Sequence, residues 1–287
     1  MTELSSDEQR RRLAEQTGGQ PWLDFPPGKT PYVDYARMDV LLSLQKPRTG
    51  AALEYRFIVI SQVKELLFDL LYTELSRARE HLRDAMITPA TELIRRTTSV
   101  LHLLISCWDA LGELNTAEFA EFRDHLGAAS GFQSFSYRKL EFLLGNKNPE
   151  MVRPHRRAPW YPEVARELTT PSLYDEVIRL LAKSAGSIPA PVSDRDPATL
   201  YHPEPAVEQA WLEVYRDPAA HRELYELGEV LTEVSSLFAR WRSTHLLTVE
   251  RIIGSKPGSG GTSGVTWLRS ITGHRFFPEL WSMRTSL

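Results

Sequence analysis

Apolar residues recur every three or four positions along most of this chain, the period of a helix with one buried face. Residues 57–82 carry Phe57, Ile60, Val63, Leu67, Leu70 and Leu71 on one side, with Lys64, Glu65, Glu74 and Arg77 elsewhere. Residues 91–114 repeat the pattern through Leu93, Val100, Leu104, Trp108 and Leu111. Thr116 reads as the N-cap of a shorter helix over 117–126, with Glu118 in its first turn and Gly127 closing it. Further helices are expected over 134–144, ended by Gly145 and Asn146, over 173–183 after Pro171, over 205–214, and over about 218–253. Alternating strand patterns are scarce, and no internal repeat is present. The expected fold is all-α, a bundle of long antiparallel helices around one core.

The last of these helices places Leu227, Leu231, Val234, Phe238, Trp241, His245, Val249 and Ile252 on one stripe. A histidine among apolar residues is either a packed core residue with a satisfied ring or a ligand aimed between helices, and the first is the commoner case. Directly after the helix comes a glycine-rich stretch over residues 254–264. It lacks the Lys-Ser/Thr ending of a phosphate loop and no strand precedes it, so neither nucleotide fingerprint applies. It reads either as a flexible connector or as a loop that closes over a ligand and offers it hydroxyls and backbone N–H groups.

Composition narrows the classes. The 287 residues are 42% hydrophobic and 25% charged, with a net charge of −3, so nothing suggests a nucleic-acid partner. The single cysteine, Cys107, excludes an intramolecular disulfide and fits a reduced, cytoplasmic protein. No apolar run is long enough to span a membrane, and residues 1–20 lack the apolar core of a signal peptide. Residues 1–25 are expected to form a mobile polar tail, and residues 26–287 one all-α domain. The proline-dense stretch over 187–204 reads as a loop inside that domain.

None of the eight histidines shows H-E-x-x-H spacing, and there is no zinc-finger cluster. A lone buried histidine suits haem, whose iron needs one proximal protein ligand. The other seven sit mostly in polar surroundings and are expected at the surface. Arg123, just after Phe119 and Phe122, is either a surface guanidinium lying on a ring or a bidentate clamp for a carboxylate. No G-x-S-x-G elbow exists, which removes a serine-hydrolase reading.

Several ordered stretches resemble the tryptophan 2,3-dioxygenase family of haem-dependent aromatic oxygenases. They are Pro31-Tyr32-Val33-Asp34-Tyr35 running on to Gln45, Phe57-Ile58-Val59-Ile60-Ser61-Gln62 with Glu65-Leu66, and Phe122-Arg123. Next come Ser130-Gly131-Phe132-Gln133-Ser134-Phe135 with Tyr137-Arg138, and Leu144-Gly145-Asn146-Lys147-Asn148-Pro149. The end of the chain adds His245, Thr248-Val249-Glu250-Arg251-Ile252-Ile253-Gly254, the glycine loop, Phe277-Pro278-Glu279-Leu280-Trp281 and Arg284-Thr285. The likeness runs from about residue 30 to the C-terminus and is weakest over 151–226.

The resemblance implies haem b as cofactor and O2 as co-substrate, with His245 as the proximal iron ligand and Trp241 and Gly254 beside the cofactor. It implies that Arg123 binds the substrate carboxylate, that Phe57 packs on the indole, and that Ser259 meets the ammonium. Tyr32 and Tyr35 resemble tyrosines that reach a neighbouring subunit's site, since the family forms homotetramers. Four positions depart from the family, one of them the conservative change of the loop threonine to Ser259. Ser61 stands where the family has a distal histidine, Phe119 where bacterial members have a carboxylate-binding tyrosine, and Leu67 where tryptophan is typical.

The expected function is a haem-dependent oxygenase that attacks the indole carbon 2–carbon 3 bond of L-tryptophan or a substituted tryptophan such as a β-methyl derivative. The default outcome is ring opening to an N-formylkynurenine-type product. The alternative is monooxygenation to a 2-oxindole in secondary metabolism, because the departures cluster around the substrate. Two readings from other classes are a haem sensor or carrier without turnover, and an all-α scaffold with a core histidine.

Overall fold

The computed structural model describes residues 6–25, 27–184 and 188–287. The first five residues of the expected tail, Pro26 at the expected domain start and Ser187 at the start of the proline-dense stretch lie outside the described residues. Every regular element among the described residues is helical, and no strand occurs. The fold is all-α. No helix among the described residues is long and apolar enough to cross a membrane.

The chain divides into two compact units, residues 1–46 and 47–287. The first holds three short helices, α1 (Asp7–Gln16), α2 (Pro31–Ala36) and α3 (Met38–Leu41). A capping box starts α1: the Ser6 hydroxyl accepts from the Gln9 amide at 3.2 Å, and the Gln9 side chain accepts from the Ser6 amide at 2.7 Å. None of its residues is buried.

The second unit is built on three long helices, α4 (Glu54–Arg83), α5 (Ile87–Gly112) and, later in the chain, α12 (Arg222–Ile253). Between them lie α6 (Thr116–Arg123), α7 (Phe135–Leu143), α8 (Tyr161–Thr169), α9 (Leu173–Ser184), α10 (Ala190–Ser193) and α11 (Pro205–Arg216). Two short helices follow, α13 (Val265–Thr272) and α14 (Glu279–Ser282). Only three residues, Asp84 to Met86, join α4 to α5, so the two run antiparallel. The core they share with α12 includes Leu71, Leu75, Leu101, Leu104, Leu231, Val234 and Phe238.

The expected stripe of α12 is buried through Leu227, Leu231, Val234, Phe238, Trp241 and Ile252. The helix starts at Arg222 rather than near Pro218, because the Asp217 side chain accepts from the Ala220 amide at 3.1 Å and holds a turn there. The face of α4 differs from the expected one in part. Leu70 is 42% exposed; Leu71 of the expected set is fully buried beside Phe68, Leu75, Ala78 and Leu82, and Phe57, Ile60 and Leu67 are partly buried against the core. Helix α6 is capped by Asn115, not Thr116: Asn115 is extended, its side chain accepts from the Glu118 amide at 2.9 Å, and Thr116 is already helical. The helix ends at Arg123, with a 3₁₀ turn (Asp124–Leu126) after it.

Three polar anchors fix the ends of elements. Glu54 opens α4, and its buried carboxylate accepts from the Thr49 hydroxyl at 2.6 Å and from the amides of Arg48 and Thr49 at 2.8 and 2.7 Å. The Thr49 hydroxyl and those amides hold that carboxylate below its ordinary range. Lys147 is fully buried, and its ammonium donates to the carbonyls of Glu167 at 2.9 Å, Leu168 at 3.1 Å and Thr170, closing the end of α8. Glu279 is buried beneath the C-terminal segment and accepts from the hydroxyls of Tyr174 (2.7 Å) and Tyr201 and from the Glu204 amide at 2.8 Å.

Two histidines expected at the surface are not there. His155 is 2% exposed, with its Nδ1 accepting from the Trp160 indole at 3.2 Å. His274 is half-buried against Phe276, which it meets edge-on with ring centroids 5.1 Å apart.

Candidate active site

Helices α4, α5, α6, α12 and α13 and the loops at residues 127–134 and 254–264 enclose a cavity of about 560 Å³. Its apolar wall includes Leu111, Leu114, Leu126, Val249, Ile252 and Leu268. Phe57, Ser61 and Lys64 reach it from α4 because steps of four and three residues keep them on one helical face. His245 reaches it from α12 one turn after Trp241, by the same spacing.

His245 is half-buried, and its accessible part faces this cavity. Its ring is stacked on Trp108, with centroids 4.1 Å apart and planes within 8°. Trp241 lies beside it at 5.9 Å. Among the described residues neither ring nitrogen has a hydrogen-bond partner. Burial, with a smaller push from the Lys64 charge, lowers the imidazole to about 3. The ring is therefore neutral at pH 7 and keeps a lone pair open to the cavity. The ring is packed on Trp108 but makes no hydrogen bond among the described residues.

The Phe57 ring forms a three-ring cluster with Phe119 at 5.9 Å and Phe122 at 5.5 Å. Phe119 faces the cavity without a hydroxyl. Arg123, at the last turn of α6, points across to the glycine loop, where its Nη2 donates to the Pro257 carbonyl at 2.7 Å. The loop is tied down twice more. The Ser259 hydroxyl donates to the Ala129 carbonyl, and Gly260 lies so close to residues 130–132 that a Cβ would stand 2.5 Å from Ser130 Cβ and 2.7 Å from the Phe132 ring. Only glycine permits that approach.

A buried polar cluster adjoins the cavity through Tyr137, Arg138 and Arg242. Its centre is Glu141, which accepts from Arg138, from Asn146 at 2.9 Å, from Tyr137 at 3.4 Å and from Arg242 at 3.5 Å. Arg242 also donates to the His274 carbonyl at 3.1 Å. Burial and the Arg242 charge together bring His274 down to about 4.

Of the residues expected at the site, Phe57, Ser61, Phe119, Arg123, Trp241, His245 and Ser259 line this one cavity. Gly254 does not. It is exposed and ends α12 with a φ of 58°. Tyr32 and Tyr35 are exposed on α2 of the smaller unit. Sequence reasoning missed Lys64, Trp108, Ser130 and Thr262 on the cavity wall. Lys64 had a signal: it falls one turn after Ser61 on the same face, although its charge assigned it to solvent.

A sequence model of the family described as tryptophan 2,3-dioxygenase matches residues 16–171 and 169–287. The chain is 42% identical over 274 residues to the tryptophan 2,3-dioxygenase of Ralstonia pickettii, covering 94% of this chain and 98% of that one. It is 44% identical over 266 residues to the enzymes of the same name from Polaromonas sp. and Burkholderia pseudomallei, covering 92% of this chain and 90% and 87% of theirs. With one cavity that unites an unprotonated histidine, an arginine, an aromatic cluster and a glycine loop, and with matches along nearly its whole length, the chain belongs to the tryptophan 2,3-dioxygenase family.

Proposed function

We propose that this protein is a haem-dependent oxygenase that uses O2 to oxidise the indole carbon 2–carbon 3 bond of tryptophan or a substituted tryptophan, opening the ring to an N-formylkynurenine-type product. The observation that carries this reading is the neutral, unbonded imidazole of His245 facing the same cavity as Arg123, Phe57 and Ser259. Haem b fits these residues. Its iron needs one protein nitrogen, whereas among the described residues no three His, Cys, Asp or Glu side chains stand close enough to hold a bare ion. The volume lies within the roughly 300–1,000 Å³ of cofactor and ligand sites, and the aliphatic wall suits a macrocycle. Haem, when bound, supplies the activation of O2.

The chain's own residues bind, orient and keep the site dry. His245 offers its lone pair to the iron, with Trp241 beside it and Gly254 ending the helix that carries it. Arg123 spends one N–H on Pro257 and has others free for a carboxylate. The Ser259 hydroxyl donates to Ala129, so its oxygen remains open to accept from an ammonium. The Phe57 cluster presents an apolar wall to an indole. Ser61 accepts the indole N–H directly or through water. Tyr32 and Tyr35, exposed in a single chain, are assigned to a neighbouring subunit's site in a homotetramer.

Ser61 and Phe119 favour a second outcome. The first leaves room and no imidazole beside the substrate, and the second cannot donate to its carboxylate. Both loosen the hold on plain tryptophan and admit a β-substituent. A single oxygen atom then enters, giving a 2-oxindole, while the other leaves as water with two protons and two electrons from an external reductant. Mass measurement of the product formed under heavy-isotope O2, with tryptophan and β-methyltryptophan side by side, decides the matter. Two labelled atoms support ring opening, one supports the oxindole, and no product with a haem-loaded protein overturns the enzyme reading.

A further inference from the structure

One charged side chain of the cavity has no part in the roles above. Lys64 lies one turn beyond Ser61 on α4 and enters the same space. Its Nζ stands 3.9 Å from the centre of the Trp108 ring. That indole is itself stacked on His245, 4.1 Å away and within 8° of parallel. Among the described residues the ammonium has no hydrogen bond or ion pair, and Trp108 Nε1 is buried without a partner. The three side chains therefore form a stack held by ring contacts and a cation–π contact rather than by hydrogen bonds.

A lysine in this place is costly. Burial disfavours its charge and brings it down to about 8, so it still carries the charge at pH 7. If the role were packing alone, methionine or leucine would fill the space without that cost. What a lysine adds is a positive charge in a buried place, separated from His245 only by the thickness of the Trp108 ring. A charge in that position opposes extra positive charge on whatever the imidazole holds. Ferric iron carries one positive charge more than ferrous iron, so a nearby ammonium favours the ferrous form.

Resting on the reading of His245 as the iron ligand, we propose that Lys64 and Trp108 are positioning residues for that histidine. The indole fixes the plane of the imidazole, and the ammonium above the indole raises the reduction potential of the iron. The effect belongs to the third turn of α4 and is separate from the substrate contacts proposed for Phe57, Ser61 and Arg123.

The test uses the full-length protein loaded with haem b and titrated spectroelectrochemically between the ferric and ferrous forms. Lys64→Met is expected to lower the potential by roughly the equivalent of a tenfold change in the one-electron equilibrium, 59 mV. Lys64→Arg keeps the charge and is expected to stay near the parent value. Lys64→Gln, neutral but polar, repeats the loss if the methionine variant folds poorly. Trp108→Leu is expected to move the iron–imidazole stretch of the ferrous protein in resonance Raman, because the ring is no longer held. Neutral variants with an intact Soret band and an unchanged potential overturn the proposal. A parent protein that takes up no haem overturns the reading of His245 beneath it, and the absent Soret band tells that failure from the other.

Discussion

Arg123 lines the cavity and holds the loop carbonyl of Pro257 through one N–H. On the proposed function, Arg123→Ala removes a carboxylate contact together with the loop anchor. Charge-assisted hydrogen bonds are worth about 1.5–3 kcal/mol, so kcat/KM for the amino-acid substrate should fall on the order of 10- to 100-fold, with the Soret band unchanged. Loss of the Soret band in that variant would move Arg123 to the cofactor. His245→Ala makes the opposite expectation: visible absorption collapses while the far-ultraviolet helical signal stays. Ser61→His puts an imidazole on the cavity wall, beside the substrate on the proposed function. It should shift the preference between tryptophan and β-methyltryptophan while haem binding holds, and equal loss of both substrates together with haem would count against placing Ser61 by the indole.

At the level of elements, the loop over residues 254–264 acts as a shaped wall because glycine lets it touch the segment opposite. Gly260→Ala places a Cβ 2.5 Å from Ser130 Cβ. The loop must lift, so KM should rise with little change in thermal stability, and a variant with parental KM would show that the close approach is dispensable. Leu71→Ala on α4 hollows the core instead and should cost about 2–5 kcal/mol in urea unfolding. Helix α12 was the most legible element, since its apolar stripe runs in register from the core, through Leu227 to Phe238, to the cavity wall, where His245 falls on the same face. Helix α4 was legible in extent but only partly in face. Its first half divides its side chains between the core, which Ile60 and Leu67 reach, and a cavity that tolerates Ser61 and Lys64. Asn115 in place of Thr116 shows the usual limit at helix ends, where two capping residues stand side by side and the backbone selects one.

For the whole molecule, pH dependence follows from buried histidines that stay neutral. His274 is brought down to about 4 in the fold by burial and the Arg242 charge, against an ordinary value of 6.5. Between those values the unfolded chain binds a proton that the folded chain refuses, so stability rises with pH through this window. The contribution is complete above about 6.5 and lost towards 4. Chemical denaturation of the haem-free protein at pH 7 and pH 5 should show lower stability at pH 5, and His274→Gln should reduce the difference. The fold class was open to reading from periodicity because nearly every element buries one stripe. Burial of His155 and His274 was not, because each is enclosed by partners distant in sequence or by a local turn that polar neighbours disguise. Trp108 read as core and proved to be core and cavity wall at once.

Lys147 gives the molecule an internal gauge of its own opening. Its amine is fully buried and held by three carbonyls, yet burial brings it down to about 8, nearer to reactivity than an ordinary lysine. An amine-directed acylating reagent would mark solvent-facing lysines such as Lys29 within the folded state. It would mark Lys147 only when the end of α8 comes apart. Lys64 would be marked at a third rate, set by access to the cavity, and slowed by any molecule lodged there. Peptide mapping of acylation over time would then separate surface, pocket and interior in one sample.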